Sequence, residues 1–240
     1  MEIDNHTQVT GLKILIQSIP YIGTPLNEIL FEHRGRIKQE RLNKFVQNLK
    51  DYLETVSESS INESYINSEE FGDIFESIIE KVGRTQNEEK LKRFRQILIK
   101  QISVPEKREY IESFLDVVSK ITDKQFEILI KQSEYAKQYI ELSEKIDEII
   151  QFQINKGGFA EHIHSYEKKE FENKRENLFK NFQCPENYNL EKKEYLFLIQ
   201  DLISKSLLYD AGMGGIEVKP FDIVLITDYG FSFVKYVSEN

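Results

Sequence analysis

The sequence predicts a mainly α-helical protein in which a small β-structured unit closes the chain. Apolar residues recur at intervals of three and four along most of the 240 residues, the spacing of amphipathic helices. Only five prolines interrupt this pattern. Short runs of β-branched and aromatic residues, the composition of strands, are confined to residues 191–237.

Length and composition restrict the class of protein. With 240 residues, 30% of them charged, the chain can form one large or two small domains around a buried core. Its single cysteine, Cys184, fits a reducing compartment and provides no disulfide framework. Residues 1–10 lack the basic start of a secretory signal, and the longest uncharged run, 14–27, is shorter than the roughly 20 apolar residues of a spanning helix. We therefore expect a cytoplasmic protein.

The first half of the chain predicts a helical bundle, domain 1–121. The expected helices are a short one ending at Pro20, one over 26–56, one from Ser68 to Gly83, one from Asn87 to Pro105 and one over 110–121. Ser68 and Asn87 should begin their helices, because short side-chain oxygens accept hydrogen bonds from the free amides of a first helical turn.

The second predicted domain, 122–240, begins at a capping box. In Thr122-Asp-Lys-Gln125 the threonine caps the helix and the glutamine side chain reaches back to the Thr122 amide. Helical periodicity continues to about Ile154, and another helix is predicted over 169–182. Residues of about 140–188 are therefore expected to form a helical insertion in this domain.

Residues 191–237 predict a winged-helix-like arrangement. An amphipathic helix is followed by Asp210-Ala-Gly-Met-Gly-Gly215, whose glycines permit a tight reversal. Strands are expected at 216–218 and 221–226, and Thr227-Asp-Tyr-Gly230 should end the second. A closing helix or strand follows. The order of a helix, a small β-hairpin and a closing element is typical of a winged helix.

No residue pattern predicts catalysis, a cofactor or a metal. His162 and His164 lie two apart beside Glu161 without a third ligand at a recognisable spacing, so a solvated loop is the preferred interpretation. Residues 212–215 lack the Lys-Ser/Thr of a phosphate-binding loop. The acidic residues between 69 and 80 are typical of a solvated helix face. We therefore expect a non-enzymatic protein without a cofactor or a small-molecule substrate.

Charge is segregated along the chain, whose net charge is −9. Residues 33–50 hold six Lys or Arg and one Glu, 51–80 hold nine acids and no base, and 81–108 hold nine bases and three acids. The candidate basic surface consists of Arg34, Arg36, Lys38, Arg41, Lys44, Lys92, Arg93 and Arg95. In the preferred interpretation these bases pair with the acidic block in an antiparallel bundle. The alternative is that the N-terminal apolar segment and the first basic helix bind an anionic membrane.

The winged-helix-like arrangement suggests DNA binding as another alternative. Its candidate contacts are Lys192, Lys193, Lys205 and Lys219. Residues 190–240 carry eight acids and five bases, however, and phosphate contacts supply most of the affinity in such complexes. Protein contact or a structural role is therefore favoured over DNA readout.

Five segments carry a family resemblance. They are 88–98, 114–121, Thr122-Asp-Lys-Gln-Phe-Glu-Ile-Leu129, 202–208 and 224–233, the last containing Ile226-Thr-Asp-Tyr-Gly230. In this order they resemble bacterial helical proteins of the abortive-infection-alpha-like type, over about residues 70–237. The resemblance implies an antiviral defence role and contributes no catalytic residue. We therefore expect a regulatory or interaction module that binds a protein partner or itself, with a DNA-binding regulator and a membrane-associating effector as alternatives.

Overall fold

The computed structural model describes residues 33–53, 62–156, 165–212, 221 and 223–238. Within these residues the fold is mainly helical, with 82% helix, nine α-helices and one two-stranded antiparallel sheet. The predicted mainly α class is confirmed. The chain divides into two compact units, the first formed by residues 1–121 with 236–240 and the second by residues 122–235.

In its described residues, 33–53, 62–121 and 236–238, the first unit has five helices around an aliphatic and aromatic core. These helices are α1 (His33–Leu53), α2 (Glu63–Ile66), α3 (Glu69–Arg84), α4 (Glu88–Ser103) and α5 (Arg108–Lys120). Their apolar stripes face one another, so that Ile78, Ile97 and Leu115 are fully buried. Tyr236 also belongs to this unit, where its ring centroid lies 5.5 Å from that of Phe114.

Two of the helix starts in the first unit confirm the N-cap predictions. The Ser68 hydroxyl accepts a hydrogen bond from the Phe71 amide at 3.2 Å, and the Asn87 side chain accepts one from the Lys90 amide at 2.9 Å. Helix α5 begins differently, because its N-cap residue, Lys107, makes no side-chain capping bond. The two kinds of cap provide a matched comparison.

Replacing Asn87 with alanine should lower the free energy of unfolding by about 1 kcal/mol, because the Lys90 amide loses its acceptor. Lys107→Ala is the control, since that side chain caps nothing, and it should have little effect. Urea denaturation of both variants measures the difference. Equal losses in the two variants would contradict the capping role of Asn87.

The described part of the second unit has four α-helices, a 3₁₀ helix and the sheet. In chain order these are α6 (Asp123–Lys156), α7 (Ser165–Gln183), the 3₁₀ helix Pro185–Tyr188, α8 (Lys192–Ser204), β1 (Leu208–Asp210), β2 (Val224–Ile226) and α9 (Asp228–Val237), whose last two residues belong to the first unit. The predicted capping box is confirmed at the start of α6. The Thr122 amide donates to Gln125 Oε1 at 2.9 Å, and the Gln125 amide donates to Thr122 Oγ1 at 3.2 Å.

The described strand pairing differs from the predicted hairpin. β2 pairs with β1 in the register Leu208↔Ile226, Tyr209↔Leu225 and Asp210↔Val224. The sequence prediction extended the helical pattern to Leu207 and began the turn at Asp210. It predicted no strand at 208–210, and on this point it is wrong. The strand predicted at 216–218 lies outside the described residues.

The physical reason is an early helix stop at Ser206. This residue adopts a left-handed conformation, with φ of 60°. Its amide donates to the Ile203 carbonyl at 2.9 Å, and the next amide, of Leu207, donates to the Leu202 carbonyl at 3.1 Å. These two bonds form a Schellman motif, which usually has glycine at the left-handed position. A serine there gives no such signal, so the sequence prediction continued the helix past this position.

The final element is a helix, and the predicted break after β2 is confirmed. Thr227 caps α9, because its hydroxyl accepts a hydrogen bond from the Gly230 amide at 2.9 Å. The same hydroxyl donates to the Ser206 carbonyl at 2.7 Å. The end of α8 and the start of α9 are thereby joined beside the sheet.

Candidate functional site

A groove of about 550 Å³ lies in the second unit between α6, α7 and β2. Its lining residues are Tyr135, Tyr139, Glu172, Arg175, Glu176, Phe179, Ile223 and Leu225. A concave surface of this volume, with apolar walls and a few polar groups, has the character of a ligand-binding site.

Helical and strand periodicity bring these side chains together. Tyr135 and Tyr139 are one turn apart on α6, as are Arg175 and Phe179 on α7. Successive side chains of a strand point to opposite faces. Leu225 therefore lines the groove while its neighbours face the other way, and Tyr209, its partner on β1, shares its face and is 46% exposed.

A buried amide network fixes the end of α7 against the sheet. Gln183 Nε2 donates to the Val224 carbonyl at 2.7 Å, and the Val224 amide donates to Gln183 Oε1 at 3.3 Å. Gln183 Nε2 also donates to Gln132 Oε1 of α6 at 3.2 Å. The glutamine side chain thus pairs with β2 as a strand residue would. Because α6, α7 and β2 all meet at this network, the three walls of the groove are held in fixed relative positions.

Arg175 is the cation of the groove that no carboxylate neutralises. Its guanidinium carbon lies 5.7 Å from the centre of the Tyr139 ring, within the range of a cation–π interaction. No described carboxylate lies within 4 Å of it. Both neighbouring acids have lysine partners on the same helix, Glu176 with Lys180 at 2.8 Å and Glu172 with Lys168 at 3.9 Å.

Tyr135 forms an uncharged aromatic wall. It is 3% exposed, and its ring centroid lies 5.7 Å from those of both Tyr139 and Phe182. Burial raises the pKa of Tyr135, and the neighbouring Tyr139 adds to this effect while Arg175 opposes it. The phenol therefore stays protonated and uncharged at neutral pH. The positive charge in this part of the groove is that of Arg175.

No family model, curated protein or solved structure matches this chain. The groove must therefore be interpreted from its own side chains. None of the described helices is long and apolar enough to cross a membrane. In the same residues, no three His, Cys, Asp or Glu side chains are grouped where they could hold a metal ion.

The first part of the predicted basic surface lies on α1. The side chains of Arg34 and Arg36 are outside the described part of the chain, as is the N-terminal apolar segment, so the membrane hypothesis stays a prediction. Lys38 is exposed. Arg41 donates to the Gly83 carbonyl at 3.3 Å, and Lys44 forms a 2.6 Å ion pair with Glu88.

The second part of that surface, on α4, requires a correction. Arg93 is only 6% exposed, so its predicted surface position is wrong. The reason is that α4 contacts α1, α2, α3 and α5, and much more of its circumference is buried than a simple amphipathic stripe implies. Arg95 is partly buried, whereas Lys92 is exposed and forms an ion pair with Glu89 at 2.7 Å.

The predicted pairing of these bases with the acidic block stays a prediction, and two ion pairs bear on it. α1 does contact the acidic helix α3, but Lys44 pairs with Glu88, which lies outside the block 51–80. Within that block, Asp73 pairs with Arg108 at 2.6 Å. The Asp73–Arg108 ion pair thus joins an acid of α3 to α5.

The lysines proposed for DNA contact are not equivalent. Lys192 and Lys193 are exposed at the start of α8. Lys205 forms an ion pair with Asp201 of the same helix. Burial raises the pKa of Asp201, but hydrogen bonds from Lys205 and Gln125 outweigh it, so the pKa is lowered on balance and the carboxylate stays charged. Lys219 lies outside the described residues, as do His162 and His164.

Sequence reasoning missed the groove. The region 159–188 reads as polar with scattered aromatics, and only the spacing of Arg175 with Phe179 and of Tyr135 with Tyr139 could have indicated two facing stripes. The two stripes are about 40 residues apart, and Leu225 is about 50 residues further on. Nothing local in the sequence indicates that they meet.

Proposed function

We propose that this chain is a non-enzymatic interaction module that binds a segment of a partner protein in the groove of the second unit. The observation that supports the proposal is an aromatic and aliphatic groove that contains Arg175, a guanidinium with no ion pair to any carboxylate of the described residues. Protein interfaces are enriched in aromatic residues and arginine at the positions that contribute most to affinity. Here Tyr139, Phe179 and Arg175 are already gathered at one concave surface.

The setting of this module is proposed from the family resemblance. The resemblance to abortive-infection-alpha-like proteins implies a role in antiviral defence in a bacterial cytoplasm. In that setting a binding module would act as a sensor or a regulatory partner. The partner is a second protein in this proposal. Self-association is the other form that the interaction can take.

The winged-helix-like arrangement is also part of the proposal. The order of α8, the two paired strands and α9 supports it, because a helix, a hairpin and a further helix follow one another along the chain. We assign this arrangement a scaffold role for the groove rather than DNA readout. Lys205 is engaged by Asp201, which leaves Lys192 and Lys193 as the exposed basic residues of α8.

Capture experiments with charge-reversed baits test the function. Arg175→Glu should reduce retention of the partner roughly tenfold, since loss of one central contact typically costs over 1 kcal/mol. Lys169→Glu is the control, because this residue is exposed on the same helix and does not line the groove. A protein retained by wild type and Lys169→Glu but lost with Arg175→Glu supports the proposal. Equal retention by all three baits, or no retained protein and no self-association, would contradict it.

A further inference from the structure

The groove has two chemically different ends along α7. Phe179 and Arg175 are four residues apart, which places them about 6 Å apart along the helix axis. Gln183, one turn beyond Phe179, binds Val224, so Phe179 is at the end near the sheet. The ligand-facing chemistry therefore changes from apolar to cationic within one helical turn.

The sheet end is suited to a bulky apolar side chain. Phe179 lies there with Ile223 and Leu225 of the outer sheet face, and Tyr135 forms a buried wall. All of these side chains are partly or fully buried, so the surface is shaped before a ligand arrives. An aromatic or large aliphatic group removes the most water from such a surface.

The other end is suited to a carboxylate. The cation–π interaction with Tyr139 holds the Arg175 guanidinium at this end of the groove. A planar guanidinium binds a carboxylate through two parallel N–H donors. Glu172 and Glu176 lie nearby, but their side chains are 44% and 65% exposed and are paired with lysines. Water and the lysines screen these two charges, and water also screens the partly exposed Arg175. The preference for a carboxylate therefore depends on the two parallel N–H donors of the guanidinium rather than on the net charge of the groove.

The distance between the two ends sets the spacing of the ligand groups. In an extended peptide, side chains two residues apart lie on one face, about 7 Å from each other. This is close to the separation of Phe179 and Arg175. We propose, on the basis of the proposed function, that the groove selects a partner segment in which a bulky apolar residue and an acidic residue are two positions apart.

Blocked tripeptides test this selectivity directly. The probes are acetyl-Phe-Gly-Glu-amide, its Gln and Lys analogues, and 3-phenylpropanoate, each added to the full chain up to about 10 mM, which is sufficient to detect Kd values in the millimolar range. Binding is followed by amide chemical shifts of Arg175, Phe179 and Leu225. We expect the Glu peptide to bind at least threefold more tightly than the Gln peptide, and the Lys peptide to bind most weakly. Arg175→Gln should abolish the difference between Glu and Gln, whereas the control Lys169→Gln should retain it.

Several results would overturn the inference. These are equal affinities for the Glu and Gln peptides, no chemical shift changes with any peptide, and unchanged discrimination between Glu and Gln in Arg175→Gln. Binding of 3-phenylpropanoate as tightly as the Glu peptide would also overturn it, because the groove would then be a site for a small acid. The outcome is separable from that of the capture experiment. A partner lost only with Arg175→Glu, together with equal peptide affinities, leaves the proposed function standing and removes the selectivity. Discrimination between the Glu and Gln peptides without any captured partner leaves the selectivity standing and removes the proposed function.

Discussion

Substitution of Gly230 by alanine should lower the free energy of unfolding of the second unit by about 3 kcal/mol, the upper part of the usual range for overpacking. A Cβ at this position would lie 2.2 Å from the Leu207 carbonyl oxygen and 2.9 Å from Ile226 Cγ1. The carbonyl cannot easily move, because it accepts hydrogen bonds from the Thr227 amide at 3.1 Å and the Thr227 hydroxyl at 3.2 Å. Relief of the clash would have to move α9 away from Leu207, the residue that precedes β1.

Gly72 provides the matched control for this substitution. It is an exposed glycine in α3, and a Cβ there would meet no atom within 4 Å. Gly72→Ala should therefore stabilise the first unit by up to about 1 kcal/mol through helix propensity. Urea unfolding followed by circular dichroism compares the two variants. A Gly230→Ala protein as stable as wild type would show that the close approach to Leu207 is not present in solution.

The second large effect is expected at Gln183. Replacement by methionine, which has a similar length but no amide, should lower the free energy of unfolding by roughly 2 to 4 kcal/mol. The reason is that the Val224 amide and carbonyl and Gln132 Oε1 would lose their partners inside the core, and each unsatisfied buried group costs about 1–3 kcal/mol.

Gln200→Met is the control for the loss of an amide from a helix. Gln200 is exposed on α8, so its variant should unfold within about 0.5 kcal/mol of wild type. The amide shifts of Leu225 and Phe179 should also change in Gln183→Met, because the network holds α7 against the sheet. If Gln183→Met and Gln200→Met unfold at the same urea concentration, the network does not contribute to stability.

Predictions that depend on local chemistry are confirmed here. Ser68, Asn87 and the Thr122–Gln125 pair cap their helices, because each motif acts within four residues and needs no knowledge of the rest of the fold. The stop at Ser206 is also local, but its serine is an uncommon residue for a left-handed position and carries no signal in the sequence.

Features that depend on distant partners were not predictable in this way. Arg93 is charged and was placed on the surface, yet the number of helices packed around α4 buries it. The groove depends on Gln183, whose polar side chain at the end of a polar helix gives no indication that it pairs with the backbone of Val224. Tertiary contacts decide whether a polar side chain is buried. The periodicity of a single segment contains no information about those contacts.

The pairing of Gln183 with Val224 also limits how a partner can approach β2. Val224 is the residue of β2 that lies opposite Asp210. Its amide and carbonyl point away from β1, as those of every second residue in an antiparallel strand do, and both groups are already bonded to the Gln183 side chain. A peptide cannot add to this edge as a third strand at that position, which is a common way for exposed strands to recruit other chains. The recognition that we propose at the groove would then depend on side chains rather than on the peptide backbone at this position, so its sequence selectivity should be high relative to its affinity.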